Sequence, residues 1–453
     1  MIHKPYLHLY WSKDPVFGTP IFSQLMRRDR FEQIRKMIHF TNPLLADPTQ
    51  NLSKLDTYLN ALRERYKSIY IPERDIAVDE YLSLWKGRLR FKIYIPSKRE
   101  RYGVKIYMLC ESATGYLRDF IVYTGADTIY PEPPHQLPKP FEQYKSPSKV
   151  VLALLAGLFN KGYSLALDNL YTAPELLKAL WSLLTDAYGT LRKKEGLPPD
   201  FWSWKPVKGV GEPGIVKFCE EKYMTMRWND PYKTKSNKVV SLMSTRHTGA
   251  VIDSGKIHHS TDRPILKPDV IVSYNKSMGG VDNLSRVIVP YTLARKGVKW
   301  YRKIAEVFLD FTVYNAFIVY KKLNPGKKTT HLQFRQEIIN QIITFFVCRS
   351  QSNNRGRGFA FTPHLNPLRL KGKHFLKPIP TMPGKTVKRR KCIRCTAMGK
   401  RKDTSYECRK CNVSLCLDPC FEIYHTKRHY DREEKDLSEG EDEDEADVEM
   451  DFE

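Results

Sequence analysis

Six of the nine cysteines fall between Cys392 and Cys420, and no other feature limits so tightly what this chain can fold into. They are spaced as Cys392-x-x-Cys395, Cys408-x-x-Cys411, Cys416 and Cys420, followed by His425 and His429. Each Cys-x-x-Cys turn presents two thiolates to one tetrahedral ion, so the pattern predicts zinc. Eight candidate ligands suit two Zn²⁺ ions. The spacing favours a cross-brace, in which Cys392 and Cys395 join Cys416 and Cys420 while Cys408 and Cys411 join His425 and His429. Pairing of consecutive ligands is the alternative. Metal folds a segment too short for a core of its own. Cys110, Cys219 and Cys348 lie apart among apolar neighbours and read as core residues.

Charge narrows the partner. The chain carries a formal +25 over 453 residues. The last stretch, 431–453, holds 14 acidic and 2 basic residues, so the body through residue 430 carries +37. Such a field attracts a polyanion, and nucleic acid is the commonest in a cell. The longest apolar run, near 150–159, is half of the roughly 20 residues that cross a bilayer, and the N-terminus lacks the apolar stretch of a signal peptide. A reducing, intracellular setting is expected, which again favours metal over disulfides.

Periodicity orders the rest. Residues 1–70 read as helical, with helically spaced apolar positions from Phe22 and again from Phe31. Strands follow at Ile76–Asp79, Val104–Cys110 and Tyr116–Tyr123. A helix opens at Ser146-Pro147, a short buried strand ends at Asp168, and Thr172-Ala-Pro-Glu175 reads as a capping box for the next helix. Strand, helix, strand, helix predicts a mixed α/β layer structure. The segment 71–190 is read as the first part of the core and 191–265 as a mostly-β insertion. The second part of the core, 266–348, holds helices after Gly279-Gly280 and over about 301–321. A basic linker (349–387), the Cys/His module (388–430) and an acidic low-complexity tail (431–453) complete the chain.

Asp79 and Asp168 are placed at strand ends, each after an apolar residue that faces the other way, so both carboxylates can emerge at one sheet edge. Asp282 follows the Gly-Gly pair at a helix start. Three clustered carboxylates need a cation between them, and hard Mg²⁺ (or Mn²⁺) prefers such oxygen donors. Two ions of this kind assist phosphoryl transfer. Strand-end aspartates more often cap helices or carry surface charge, and spacing alone does not separate these readings.

Several ordered blocks do. Val78-Asp-Glu-Tyr-Leu-Ser-Leu-Trp-Lys-Gly-Arg88, Asp168-Asn-Leu-Tyr-Thr-Ala173 and Tyr274-Asn-Lys-Ser-Met-Gly-Gly-Val-Asp282 resemble the three catalytic blocks of piggyBac-type transposases. Tyr94-Ile-Pro-Ser-Lys-Arg99, Tyr102-Gly-Val-Lys-Ile106, Tyr188-Gly-Thr-Leu-Arg-Lys193 and Arg295-Lys-Gly-Val-Lys-Trp300 are in family order too. The resemblance covers nearly all of residues 5–325, and the cysteine cluster adds the family's C-terminal finger; the vertebrate piggyBac transposable element-derived proteins are the nearest group. It implies an RNase H-like core with Asp79, Asp168 and Asp282 as a metal-binding triad. It also implies excision and integration at TTAA sites in DNA, through a hairpin intermediate, in the nucleus, with a homodimer as the expected assembly. Two departures stand out: Ser285 occupies a position where the family often has a further acid, and the family usually carries a longer region before the helical segment that opens this chain, so a truncated or no longer mobile form is the expectation there.

Basic residues near these blocks, Lys98, Arg99, Arg101, Lys105, Lys276, Arg295, Lys296 and Lys299, are candidates for phosphate contacts, as are Lys388, Arg389, Arg390 and Lys391 beside the finger. Lys388–Lys391 and Lys400–Lys402 also suit nuclear localisation. Trp300 is a candidate to stack on an unpaired base, although a tryptophan at a helix start is more often core. Against a transposase stand two rivals: a DNA- or chromatin-binding derivative that no longer cuts, and a RING-type ligase or histone reader built on the finger, which the finger's basic charge disfavours.

Overall fold

A computed structural model describes residues 2–42, 44, 46–47, 49–96, 101–193, 196–197, 199–204, 215–220, 222–229, 239–259, 262–295, 297–350, 373–379, 389–411, 413–427 and 430. The chain falls into two compact units, Met1–His3 with Glu32–Arg335, and Lys4–Phe31 with Gln336–Glu453. No helix among the described residues is long and apolar enough to cross a membrane.

Helices α1 (Pro20–Leu25), α2 (Arg28–Met37) and α3 (Asp56–Ile69) open the chain. The sheet of the first unit then begins with β1 (Asp75–Leu84), the short β2 (Ile93–Tyr94), β3 (Tyr102–Glu111) and β4 (Leu117–Val122). Helix α4 (Ser146–Leu154) leads to β5 (Ser164–Leu167), and α5 (Pro174–Ser182) to β6 (Asp186–Thr190). β1 lies antiparallel to β3, and β3 to β4, while β5 and β6 run parallel to β1. This is the mixed α/β core that the resemblance implies. The parallel strands follow from helical crossovers, which return the chain to the same end of the sheet.

After α6 (Pro199–Ser203) come β7 (Ile215–Glu220), β8 (Tyr223–Asn229) and β9 (Val239–Ser244). They do not stand apart as the subdomain expected from sequence. β9 pairs antiparallel with β6 through Tyr188↔Ser244, so the sheet runs β2-β3-β1-β5-β6-β9-β8-β7. The reason is that β6 would otherwise end the sheet with unpaired backbone groups, and β9 satisfies them. β10 (Val251–Ile257) and β11 (Pro264–Pro268) pair with each other as a separate ribbon. Helices α7 (Asp269–Ser277), α8 (Gly280–Ile288), α9 (Trp300–Leu323) and α10 (His331–Ser350) follow.

Alternation along the strands fills both faces of the sheet. Ile76, Val78, Leu109, Leu165 and Leu167 pack under α4 and α5. Val104, Ile106, Met108 and Cys110 face α3, α8 and α9, where Phe308 and Phe311 are fully buried. Beside them, Ala77 and Ala166 share a cluster with Val270 and Ile271 of α7. All four residues of β5 are buried, as a strand covered on both sides requires. Two local signals resolve otherwise than expected. Thr172 does not cap α5, which starts at Pro174; its hydroxyl donates instead to the Asp168 carbonyl at 3.1 Å. Ser146 lies inside the first turn of α4 and pairs with the Tyr130 hydroxyl at 2.9 Å.

Asp119 of β4 is fully buried and binds Arg63 of α3 at 2.7 Å and Lys67 at 2.9 Å. Its Oδ1 also accepts the Phe120 amide at 2.8 Å. Asp119→Ala strands two cations against the core and lowers unfolding free energy by about 3 kcal/mol, the low end for a broken buried pair, since both cations retain solvent contact; denaturant melts of the parent and variant measure it. His331 sits among the rings of Tyr291, Tyr314 and Phe317, with neither ring nitrogen hydrogen-bonded among the described residues. Burial, and then Arg335, push its pKa down to about 4. Its folded pKa lies below its unfolded one, so the unfolded chain takes up the extra proton as pH falls. Stability contributed at neutral pH is therefore lost between about 6.5 and 4, and His331→Phe removes that part of the pH dependence of unfolding.

Candidate metal centres and DNA-facing site

The register of β1 with β5 decides the neighbourhood of the first two aspartates. Pairing runs from Asp75↔Ser164 to Val78↔Leu167, and Asp79 and Asp168 are the next residues on the two chains. Asp79 is not at a strand end, as the sequence suggested. β1 continues to Leu84 because its other edge stays paired with β3 through Leu84↔Gly103. The end lies in β5, so β1 has no parallel partner beyond Val78. Val78 and Leu167 face the α4–α5 side, which turns both aspartates to the side of Ala77 and Ala166. Both carboxylates are half-buried, and Asp79 Oδ1 accepts the Glu80 amide at 2.8 Å. Glu80 faces the other way, with Lys105 Nζ 4.0 Å and the Tyr171 hydroxyl 3.4 Å from its Oε2.

Asp282 lies in the first turn of α8 and is exposed, while Val281 and Leu284 turn inward. Gly280 makes that placement possible. A Cβ there would stand 3.0 Å from the Glu111 carbonyl and 3.3 Å from Cys110 Cβ, so α8 starts in tight contact with β3, and a side chain at this position would press its first turn away. Cys110 is the cross-strand partner of Ala77, two residues from Asp79. The three aspartates thus lie on one side of the sheet. They do not form a tight cluster: among the described residues, only the two Cys/His groups have three or more ligand atoms all within 4.8 Å of one another. Oxygen donors of this kind fit a hard divalent cation.

Tyr274 of α7 was missed by sequence reasoning. Burial pushes its hydroxyl up to about 12, and the charges of Asp168 and Asp79 add to the shift, while the Thr190 hydroxyl lies 3.4 Å from it. Its signal was its place in the third sequence block.

Of the basic candidates, Arg101, Lys276 and Lys299 are exposed and Arg295 is half-buried. Lys105 is not presented to a phosphate. Its ammonium packs over the rings of Tyr107 and Tyr123, 4.6 and 4.8 Å from their centroids, and burial lowers its pKa. Trp300 packs edge-on against Phe91 at 5.3 Å, as a core residue does. Arg389 and Lys391 are exposed, and Arg390 binds the buried Glu407 at 3.0 Å. Lys98, Arg99, Lys296 and Lys388 lie outside the described residues.

In the second unit, short elements carry the cysteines: β12 (Leu376–Pro378), β13 (Arg390–Lys391), α11 (Ile393–Ala397), β14 (Asp403–Thr404), β15 (Tyr406–Cys408) and α12 (Cys420–Thr426). Cys392, Cys395, Cys416 and Cys420 converge, all buried. Cys395 Sγ lies 4.0 Å from Cys416 Sγ and 3.6 Å from Cys420 Sγ. A tetrahedron with zinc–sulfur bonds of about 2.3 Å has sulfur–sulfur edges of about 3.8 Å, so the thiols fit the ion. Burial pushes the Cys416 thiol up to about 11 and Cys395 higher still. Four thiolates therefore need a cation among them.

The second group is His374, Cys408, Cys411 and His425. His374 stands where His429 was expected, and His429 lies outside the described residues. His374 comes from the segment read as linker, because β12 pairs with β15 through Leu376↔Cys408 and carries it to the cysteines. Its Nδ1 is 3.5 Å from Cys408 Sγ and 3.4 Å from Cys411 Sγ. His425 Nδ1–H donates to the Phe421 carbonyl at 2.7 Å, leaving the buried Nε2 as the nitrogen available to the cysteine side. A metal ligand needs that lone pair, and the carbonyl fixes the tautomer. A hydrogen bond from Cys411, aided by His425 and His374, holds the Cys408 thiol down to about 3.

Comparison with known proteins follows these lines. Residues 1–317 match the family described as Transposase IS4, and residues 376–426 a DDE_Tnp_1-like zinc finger. Human PiggyBac transposable element-derived protein 3 is 25% identical over 433 residues, covering 93% of this chain and 67% of that protein. The human chimeric ERCC6-PGBD3 protein is 25% identical over the same share of this chain and 38% of its own. The chain thus spans about two thirds of the first relative and little more than a third of the second. Among solved structures, the cryo-EM structure of a piggyBac transposase synaptic complex with hairpin DNA superposes with a TM-score of 0.63 at 20% identity, covering 90% of this chain and 83% of that one. A family match over residues 1–317, joined to a zinc-finger match at the clustered cysteines, means that the chain belongs to the transposase family of the piggyBac transposable element-derived proteins.

Proposed function

We propose that this protein cuts and rejoins DNA as a piggyBac-like transposase, with Asp79, Asp168 and Asp282 holding Mg²⁺ or Mn²⁺ ions beside the scissile phosphodiester at TTAA-type sites. The observation that carries the reading is the shared face of Asp79 and Asp168 at the point where β5 ends and β1 continues. Ligands of open α/β sheets gather at such breaks in the strand order. Divalent ions, when bound, supply a Lewis acid that activates the attacking oxygen and stabilises the leaving one. The residues of the chain hold and orient. Asp79 and Asp168 are fixed by adjacent strands, and Asp282 closes the set from a helix start. Duplex DNA is the partner proposed on charge, a homodimer the assembly and the nucleus the location.

One observation favours a second reading, a DNA- or chromatin-binding derivative that no longer cuts. Asp282 is exposed, and Ser285 stands one turn after it, offering no fourth carboxylate. The two readings part on a duplex that carries a transposon end beside TTAA, with Mn²⁺. A transposase nicks it, and Asp79→Ala, Asp168→Ala or Asp282→Ala each lowers the rate about 10³-fold, the equivalent of about 4 kcal/mol of lost charge stabilisation. Binding without any metal-dependent product, in parent and variants alike, selects the second reading.

The finger is proposed to hold two zinc ions, the first on Cys392, Cys395, Cys416 and Cys420, the second on His374, Cys408, Cys411 and His425. Elemental analysis of the purified chain should find two zinc per molecule. His374→Ala should retain one and His429→Ala both; the reverse order would return the fourth position to His429.

A further inference from the structure

Arg394 is a buried cation that, among the described residues, has no carboxylate partner. It lies between the cysteines of the Cys392-x-x-Cys395 turn, in α11, and is only 7% exposed. A buried guanidinium is costly unless an opposite charge answers it. The buried acid of the module, Glu407, is already held by Lys377 at 3.2 Å and Arg390 at 3.0 Å. Arg394 turns to the other side. Its Nε donates to the Tyr430 carbonyl at 3.0 Å, and its Nη1 lies 4.0 Å from Cys420 Sγ. Tyr430 is itself fully buried and packs on Tyr424 of α12 at 4.8 Å. The guanidinium thus joins the first cysteine turn to the start of α12 and to the chain that follows it.

We propose that Arg394 is the charge partner of the four-cysteine zinc site, held by the Tyr430 carbonyl so that its guanidinium faces the Cys420 sulfur. The inference rests on the proposed zinc occupancy of that site. Zn²⁺ among four thiolates leaves two negative charges in excess, whereas two thiolates and two neutral imidazoles leave none. The site with the excess is the one beside which Arg394 lies. At 4.0 Å the contact with sulfur acts through charge more than as a short hydrogen bond. Guanidinium and thiolates each offset the cost of burying the other, and the cation lowers the energy of the sulfur lone pairs that reach the metal.

The test uses the full chain, loaded with Zn²⁺ or Co²⁺, and two variants. Arg394→Gln removes the charge and keeps an N–H donor for the Tyr430 carbonyl; Arg394→Lys keeps the charge and loses the planar fork. Against a chelator, Arg394→Gln should release its first zinc at an about 10-fold lower chelator concentration than the parent, as loss of a partner behind the ligands does. In the cobalt-loaded chain its thiolate-to-cobalt absorption should move to lower energy, because the sulfur lone pairs lose a stabilising cation. A role confined to packing leaves that band in place. Arg394→Lys should show the parental band. A parental band in Arg394→Gln overturns the proposal whatever its affinity, and so does an equal shift in Arg394→Lys. Should Arg394→Gln fail to fold, Arg394→Lys decides: both zinc ions and the parental band support the role, and loss of zinc rejects it. A parent chain that binds no zinc on the four cysteines refutes the zinc reading itself, whatever the arginine does.

Discussion

The four-residue parallel pairing of β5 with β1 is the constraint on which the site depends. Its register sends Val78 and Leu167 into the core under α4 and α5 and leaves Asp79 and Asp168 on the opposite face. A slip of β5 by one residue would turn Leu165 and Leu167 out of the core and Asp168 toward the leucines and valines, so hydrophobic pattern and acid placement specify the same register. Complete burial of β5 makes this pairing rigid, and its early end leaves β1 reaching onward with one edge free of a parallel neighbour. Charge collects where the sheet is interrupted.

Much of this architecture was legible because it is written locally. The apolar stripe Ile304, Val307, Phe308 and Phe311 did become the buried face of α9, and the run ending at Leu167 did become a buried strand. What the sequence concealed depends on partners distant in the chain. Asp79 reads as a strand end because alternation fades after it, yet β3 continues the ladder to Leu84. Strands β7 to β9 read as an insertion because nothing in their pattern shows that β6 has an open edge to receive β9. Lys105 looked like a surface cation from its neighbours in sequence, whereas Tyr107 and Tyr123 enclose it from the strand itself and the next one. Tyr274 carries no role in its sequence block, since only the packing of α7 brings it against Ala77 and Ala166.

The metal module shows the same limit. Cysteine spacing identified three of the four members of one group correctly as neighbours of each other, and all four of the other, because turns and short helices are local. His374 lies more than thirty positions before Cys408, across a stretch whose composition reads as linker. Strand pairing of Leu376 with Cys408 carries it there, and no count of intervals between ligands could foresee a strand.

Within that module the two sets of ligands alternate along the backbone: His374, then Cys392 and Cys395, then Cys408 and Cys411, then Cys416 and Cys420, then His425. Neither ion is enclosed by an uninterrupted stretch of chain. Each long loop that one ion closes has ligands of the other within it, so the two sites are interlaced along the sequence. A proteolytic cut anywhere between Cys392 and Cys420 therefore separates ligands of both ions at once, whereas a cut nearer either outermost histidine divides the ligands of one ion alone.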